Sequence, residues 1–278
     1  MRFGVSWLKN ESNQLSAERQ NYLKRKKRNR NLVRVTQLGI LVVLIALWEI
    51  LADIGVIDSF IMSSPSRILK TFGNLSNNGI LTHLGVTLYE TLTGFFLGVI
   101  LGIIIAIILW WSKFLSKVSE PFLVVLNSLP KIALGPVIII WVGAGTGAIV
   151  FMAVAISLIV TVLEMLNGFR STNPEMIRMA QSFSASKAQI FTKIVFPSNL
   201  HTLFNSLKVN IGLSLVGVIA GEFLVSKAGL GYLIVYGGQV FKLDLVMASV
   251  IILAIVAAVL YEVVVLGEKL VNHFVSHR

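Results

Sequence analysis

Long runs of apolar side chains constrain this chain of 278 residues more than any other feature of its sequence. A helix needs about 20 mainly apolar residues to cross a bilayer, and segments of that kind recur six times. Hydrophobic residues make up 55% of the chain and charged residues 13%, whereas soluble domains have about 45–50% and about 25%. We therefore predict an all-α, polytopic membrane protein with about six transmembrane helices. The six segments are Val35–Leu51, Leu84–Trp111, Pro121–Gly143, Ala144–Leu163, Leu203–Leu224 and Leu245–Tyr261.

The third segment is the only one of the six that prolines and a charge interrupt. Proline lacks a backbone N–H, so Pro130 and Pro136 should break or kink this span. Non-helical backbone at membrane depth persists only inside protein or beside a wet cavity, which indicates a pathway near residues 129–136. Lys131 lies between the prolines. It either contacts an anionic cargo from such a cavity, or snorkels to the interface or pairs with an acid.

The distribution of basic residues predicts how the chain is oriented in the membrane. Ten of its 24 lysines and arginines precede Val35, and such a block beside an apolar span is typical of a cytoplasmic flank rather than of a nucleic-acid site. With the N-terminus in the cytoplasm, 18 basic residues fall on that side and four on the other. We therefore expect a basic cytoplasmic segment at 1–34, a transmembrane domain at 35–268 with a cytoplasmic loop at 167–200, and a cytoplasmic tail at 269–278.

The loop between the fourth and fifth segments has helix signals of its own. Asn173 can cap a helix that starts with Pro174 and Glu175. An apolar stripe then follows at helical spacing. Such a stripe either folds back on the neighbouring spans or docks into a groove of a soluble protein, and amphipathicity alone does not separate the two. The stripe consists of Met176, Met179, Ala180 and Phe183.

A second helix is predicted in the same loop, with Ser186 as its cap and Pro197 as its stop. Between the two helices lies Ser184. If the turn there needs a positive φ, an L-residue costs about 1–2 kcal/mol relative to glycine.

This loop resembles the membrane subunit of binding-protein-dependent ATP-binding-cassette importers. Their signature is Glu-Ala-Ala, three residues, Gly, nine residues, and Ile-x-Leu-Pro. Here Ala180, Ile194 and Pro197 match, Arg178 and Met179 stand at the Glu and first Ala positions, and Ser184 stands at the Gly position, with Phe196 in place of Leu. The stretches SSPSRIL (63–69), SLPKIALGPVIIIWVGAG (128–145) and GEFLVSKAGLGYLIV (221–235) extend the resemblance to the sulfonate, taurine and nitrate branch.

The resemblance implies a type I importer permease fold in which two membrane subunits, most simply a homodimer, form the pathway for a small solute such as an organic sulfonate, taurine, nitrate or a similar anion. Two copies of an ATPase subunit, carrying ATP and Mg, and an extracytoplasmic binding protein complete the transporter. The helix at Pro174–Phe183 would be its coupling helix, and Arg178 would meet a carboxylate of the ATPase. The expected coupling residues are Glu175, Met176, Arg178, Met179, Ala180, Phe183, Ser184, Ile194 and Pro197.

Signatures of catalysis are missing from the sequence. It has no G-x-x-x-x-G-K-[ST] phosphate loop, no local nucleophile motif and no cysteine. His273 and His277 are four residues apart, with Glu268 nearby, and are better explained as a solvated tail than as a metal site. We therefore expect a transport subunit without catalysis, metal or nucleic acid.

Two acidic residues lie within or at the end of spans. Glu222, which takes the place of an acid in the importer family's pattern, is either a structural cap or ion pair or a contact for the cargo, and Glu90 should make a buried polar contact between helices. Two other function classes stay open at this point. An ion-coupled secondary transporter would favour paired intramembrane acids in inverted repeats. A non-transporting scaffold would use the 167–197 loop as its interaction module.

Overall fold

The computed structural model describes residues 4–56, 58, 63–73 and 79–276, and helices dominate throughout these ranges. We number the α-helices in chain order. A 3₁₀ turn, Lys131–Leu134, precedes α5, and a π-helical turn, Phe191–Val195, joins α8 to α9. The helices are α1 (Gly4–Asp53), α2 (Pro65–Gly73), α3 (Ile80–Trp111), α4 (Lys113–Ser128), α5 (Gly135–Val142), α6 (Thr146–Arg170), α7 (Pro174–Ser182), α8 (Lys187–Ile190), α9 (Phe196–Ser198), α10 (Leu200–Val225), α11 (Leu230–Gln239) and α12 (Leu243–Ser276).

The chain divides into two compact units, Met1–Arg67 and Ile68–Arg278. In the first unit, α1 is one continuous helix that passes through Val35, where the sequence suggested a boundary between the basic segment and the first span. No glycine or proline lies between Val5 and Leu38, and glutamate, glutamine, lysine, arginine and leucine all favour helix. The helix therefore carries both the basic segment and an apolar stretch long enough to cross a membrane.

Among the residues that the structure describes, five helices are long and apolar enough to cross a membrane, and a sixth crossing results if one bent pair counts as a single span. This confirms the all-α, polytopic architecture. The bent pair is Lys113–Ser128 with Lys131–Val142, which meet at 86°. The five spans are Asn21–Asp53, Ile80–Trp111, Thr146–Arg170, Leu200–Val225 and Leu243–Val271.

The predicted break in the third span is present, but only one of its two prolines makes it. Pro130 lies between the two halves of the bent pair. Pro136 instead occupies the first turn of α5, where a helix has no use for its backbone N–H. Thus Pro136 starts a helix rather than interrupting one.

Three helices of the second unit, α3, α6 and α10, pack with almost no side chain between them. Glycines of α3 contact α6, with Gly94 facing Ala153 and Gly102 facing Thr161. Because the residue numbers rise together, the two helices run parallel. From α10, which runs the opposite way, a Cβ added at Gly217 would lie 2.7 Å from the Cα of Ala153. Small residues let membrane helices approach closely. We call this close contact of α3, α6 and α10 the seam, and it sets how the three helices pack in the bundle.

The seam also gives the bundle two ends, which we name from α3. The Ile80 end holds the start of α3 and α6, the end of α10, and all of α11. The Trp111 end holds the end of α3 and α6, the start of α10, and the loop that contains α7 to α9.

Candidate functional site

At the Trp111 end, α7 starts as the sequence predicts. The Asn173 side-chain oxygen accepts the backbone N–H of Glu175 at 2.8 Å, and Pro174 takes the first helical position. The cap satisfies one of the free N–H groups that every helix start leaves. The helix therefore needs no partner from the bundle to begin.

The predicted apolar stripe of α7 is divided between two faces. Ala180, together with Ile177, packs against an inner cluster that includes Leu166 and Phe169 of α6. The other three members point outward, with 43% of Met176, 57% of Met179 and 81% of Phe183 exposed. We call these three residues the docking ridge. The separation is geometric, because each residue advances about 100° around a helix, which places Ala180 at the edge between the ridge and Ile177.

The turn after α7 has the left-handed backbone that the sequence raised as a possibility. Ser184 has φ 57°, its N–H bonds to the carbonyl of Gln181 at 2.9 Å, and the N–H of Ala185 bonds to the carbonyl of Ala180 at 3.0 Å. This pair of bonds is the Schellman motif, in which glycine is the usual left-handed residue. The serine therefore makes the turn at a conformational cost of about 1–2 kcal/mol.

The second helical segment of the loop starts as predicted but does not end at Pro197. Ser186 and Gln189 form a reciprocal capping box, and the helix then continues through the π-helical turn and α9 to Ser198. In the π turn the N–H of Phe196 bonds five residues back to Phe191. Pro197 thereby falls in the first turn of α9, where a missing N–H is tolerated.

A residue that sequence reasoning missed closes the base of the loop. Asn199 is buried, and its side-chain amide donates to Thr172 Oγ1 at 2.9 Å and to the carbonyl of Val195 at 2.8 Å. It thus joins the start of the loop to its end. An amide between Pro197 and the next apolar span was the only available signal.

The remaining predicted coupling residues lie around the docking ridge or beneath it. Glu175 and Arg178 are exposed, and the Arg178 side chain reaches only the carbonyl of Pro174, at 3.5 Å from Nε. Neither charge has an ion-pair partner among the residues that the structure describes. Ile194 is half-buried and Pro197 is exposed.

At the opposite Ile80 end, Glu222 lies in a buried network that caps α11. Its Oε2 accepts the N–H of Gly231 at 2.5 Å, and its Oε1 accepts the hydroxyl of Thr87 at 2.6 Å. The same Thr87 oxygen accepts the N–H of Leu230 at 2.8 Å. Glu222 thus caps the start of α11, and a contact between Glu222 and the cargo stays a prediction.

Two further side chains of α3 complete this network. His83 Nδ1 accepts the N–H of Gly229 at 2.9 Å. The carboxyl group of Glu90 lies next to the carboxyl group of Glu222 and to the hydroxyl of Thr146. Both glutamates are only 1% exposed. Glu90 therefore makes the buried contact between helices that the sequence predicted.

Lys131 lies at the break in the bent pair, where its Nζ donates to the carbonyl of Asn127 at 3.0 Å. The residues that follow it form one wall of an apolar groove of about 600 Å³, and α10 forms another. The lysine is half-exposed and directly precedes Ile132, the first residue of the groove wall. Residues of the groove include Ile132, Ala133, Pro136, Val216, Ile219 and Phe223.

Comparison with known proteins places this architecture among transporters. The chain is 28% identical over 225 residues to the putative aliphatic sulfonates transport permease protein SsuC of Escherichia coli, covering 81% of this chain and 86% of that protein. It is 30% identical over 231 residues to the riboflavin transport system permease protein RibX of Chloroflexus aurantiacus, covering 83% and 86%. A chain of the inward-facing MetNI methionine ABC transporter has a similar fold, with a TM-score of 0.62, 16% identity and coverage of 69% of this chain and 95% of that one.

The family described as binding-protein-dependent transport system inner membrane component matches residues 98–277, which is more than half of the chain. Permeases of this family are not themselves catalytic, and a partner ATPase handles ATP. The chain therefore belongs to this family, as a multi-pass membrane permease subunit of a binding-protein-dependent ABC importer.

Proposed function

We propose that this permease forms, as a homodimer, the pathway for a small organic anion, and that α7 couples it to two ATPase subunits. The observation that carries the proposal is the docking ridge, three exposed apolar side chains on a short helix and its C-cap residue, Phe183, while the other face of the helix packs against the bundle. An apolar helix face of this kind fits a groove on a partner protein. The family membership makes an ATPase subunit the natural partner.

The construction of α7 suits the transmission of force. Asn173 caps its start and the turn at Ser184 closes its end. Ile177 and Ala180 press its inner face on the cluster that contains Phe169. A push from the ATPase on the ridge would therefore reach α6 directly. ATP-driven closure of the ATPase pair would turn the pathway outward, and hydrolysis would let it return.

The proposed coupling role also implies an orientation of the permease in the membrane. The Trp111 end, which carries α7, faces the cytoplasm, as do both termini, in agreement with the excess of basic residues on that side. Because the chain has no cysteine, single cysteines at Gln181 and Gly238 test this directly. Labelling of Gln181→Cys by an impermeant thiol reagent in intact cells, with Gly238→Cys protected, would contradict the orientation.

The proposed cargo is a small anion with an apolar part, such as a sulfonate. Its support is the similarity to the sulfonate permease and the position of Lys131, a half-exposed cation that directly precedes the first residue of an apolar groove. A riboflavin-like aromatic solute is the second candidate, since the riboflavin permease is similarly related and the groove presents an apolar wall.

One reconstitution tests both parts of the proposal. The permease is combined with its cognate ATPase and binding protein in proteoliposomes, and ATP hydrolysis is measured with alkanesulfonates, taurine, nitrate and riboflavin. We expect Met179→Asp to reduce solute-stimulated hydrolysis at least tenfold, because a buried apolar anchor of an interface contributes about 2 kcal/mol or more. The matched variant Gln181→Asp adds the same charge on an exposed polar position of α7 and should change it less than twofold.

The cargo is assessed with Lys131→Ala and Lys131→Arg in the same assay. Loss of stimulation by an anion in Lys131→Ala, with recovery in Lys131→Arg, supports the anion pathway. Equal inhibition by Met179→Asp and Gln181→Asp would contradict the docking ridge, and stimulation by riboflavin alone would replace the anion with the second candidate.

A further inference from the structure

A cavity at the Trp111 end, separate from the apolar groove, is lined by basic residues that have no part in the proposed coupling. It encloses about 440 Å³ between the corner that joins α3 to α4 and the end of α6. Lys113, Lys117 and Arg170 line it, against a single acid, Glu120. The lining therefore carries a net positive charge.

The one acid is already engaged. Arg170 Nη2 bonds to the hydroxyl of Ser116 and lies 3.5 Å from Glu120 Oε2. Lys113 and Lys117 have no acidic partner among the residues that the structure describes. Both also lie in the first two turns of α4, whose first turn holds no acid. Cations are unfavourable at the positive end of a helix dipole, so an external anion would relieve the excess charge.

The cavity lies where an apolar span ends. Trp110 and Trp111 close the 32-residue helix α3, and tryptophans favour the boundary between hydrocarbon and lipid headgroups. The Lys187 ammonium lies 5.7 Å and 5.6 Å from the centres of these two rings and donates to the carbonyl of Trp111. Next to Lys113, Phe114 is largely exposed, so basic and apolar groups adjoin as they do around a phospholipid.

We propose that this cavity binds the phosphate of an anionic phospholipid, with Lys113 and Lys117 at the phosphate and the acyl chains along Phe114 and Trp111. Ile177, on the inner face of α7, lines the same cavity. The bound lipid would thus lie beside the contact between α6 and α7 and adjoin the inner face of α7. The proposed orientation, in which the Trp111 end faces the cytoplasm, would place this lipid in the cytoplasmic leaflet.

The test measures lipid bound to the purified full-length permease by native mass spectrometry, with phosphatidylglycerol and phosphatidylcholine of the same acyl chains. We expect wild type to retain phosphatidylglycerol preferentially. The variant K113A/K117A should bind it about 25-fold more weakly, since each basic residue near an anionic headgroup contributes about fivefold. The control K193A/K269A removes the same charge from exposed positions outside the cavity and should stay within about threefold of wild type.

Equal retention of the two lipids by wild type, or equal loss in both double variants, would overturn the proposal. Inorganic phosphate is titrated in parallel. Displacement of phosphatidylglycerol by millimolar phosphate, or phosphate adducts without bound lipid, would identify a free anion as the ligand and overturn the lipid assignment. Because no ATPase is present, these results do not depend on coupling.

Discussion

Two short helices at opposite ends of the bundle begin in different ways. At the Trp111 end, α7 is capped by its own neighbour, Asn173. At the Ile80 end, α11 has no local side-chain cap, and its first N–H groups bond to His83 and Thr87 of α3 and to Glu222 of α10. One helix start is local and the other is assembled from the bundle.

Their burial differs in the same sense. None of the α7 residues is fully buried, whereas Leu230, Gly231, Leu233 and Gly237 of α11 are. We infer that α11 keeps its place only while the bundle is intact, and that α7 can keep its helix while its outer face changes partner. The proposed coupling role of α7 requires that independence, because the helix would receive force from another protein.

The largest expected effect comes from removing the shared cap of α11. Glu222→Leu keeps the size of the side chain but leaves the Gly231 N–H and the Thr87 hydroxyl without their acceptor, and each unsatisfied buried group costs about 1–3 kcal/mol. We expect a loss of about 3 kcal/mol, measured as a lower Tm of the detergent-solubilised permease. Glu175→Leu, an exposed glutamate in the first turn of α7, is the control and should cost less than 1 kcal/mol. Similar losses in the two variants would break the comparison.

A smaller effect is expected at the local cap of α7. Asn173→Ala removes the side-chain acceptor and should cost about 1 kcal/mol. Hydrogen exchange followed by mass spectrometry should show roughly fivefold faster exchange in peptides covering α7, while peptides covering α11 stay unchanged. Faster exchange across α10 or α11 would show that α7 is no more independent than its counterpart.

The smallest effect is expected at the turn that ends α7. Ser184→Gly relieves the left-handed strain but adds freedom to the unfolded chain, so the net gain should be about 0.5 kcal/mol. The Ala185 amide, whose bond closes the turn, should exchange about twofold more slowly. Ser182→Gly, inside the last turn of α7, is the control and should instead speed exchange, since glycine is unfavourable in a helix. A loss of protection in Ser184→Gly would contradict the strain at this position.

The features that the sequence predicted depend on neighbours in the chain. Apolar length placed the spans, Asn173 and Ser186 marked helix starts, and Pro130 marked the break, because each acts within a few residues. The cap of α11 was beyond such reasoning, since Thr87 and Glu222 are 135 positions apart and only the packed bundle joins them. The division of the α7 stripe was hidden for a related reason: Ala180 is apolar like the ridge, and only the position of α6 decides which face it takes.

The side-chain amide of Asn199 makes the loop at the Trp111 end a self-contained segment of the chain. Because it ties Thr172 to Val195, the segment from Thr172 to Asn199, which are 27 positions apart, forms a unit whose two ends are held together. A chimaera that exchanges this unit between related permeases, with both tied residues included, should carry over the choice of ATPase while the recipient keeps its own cargo.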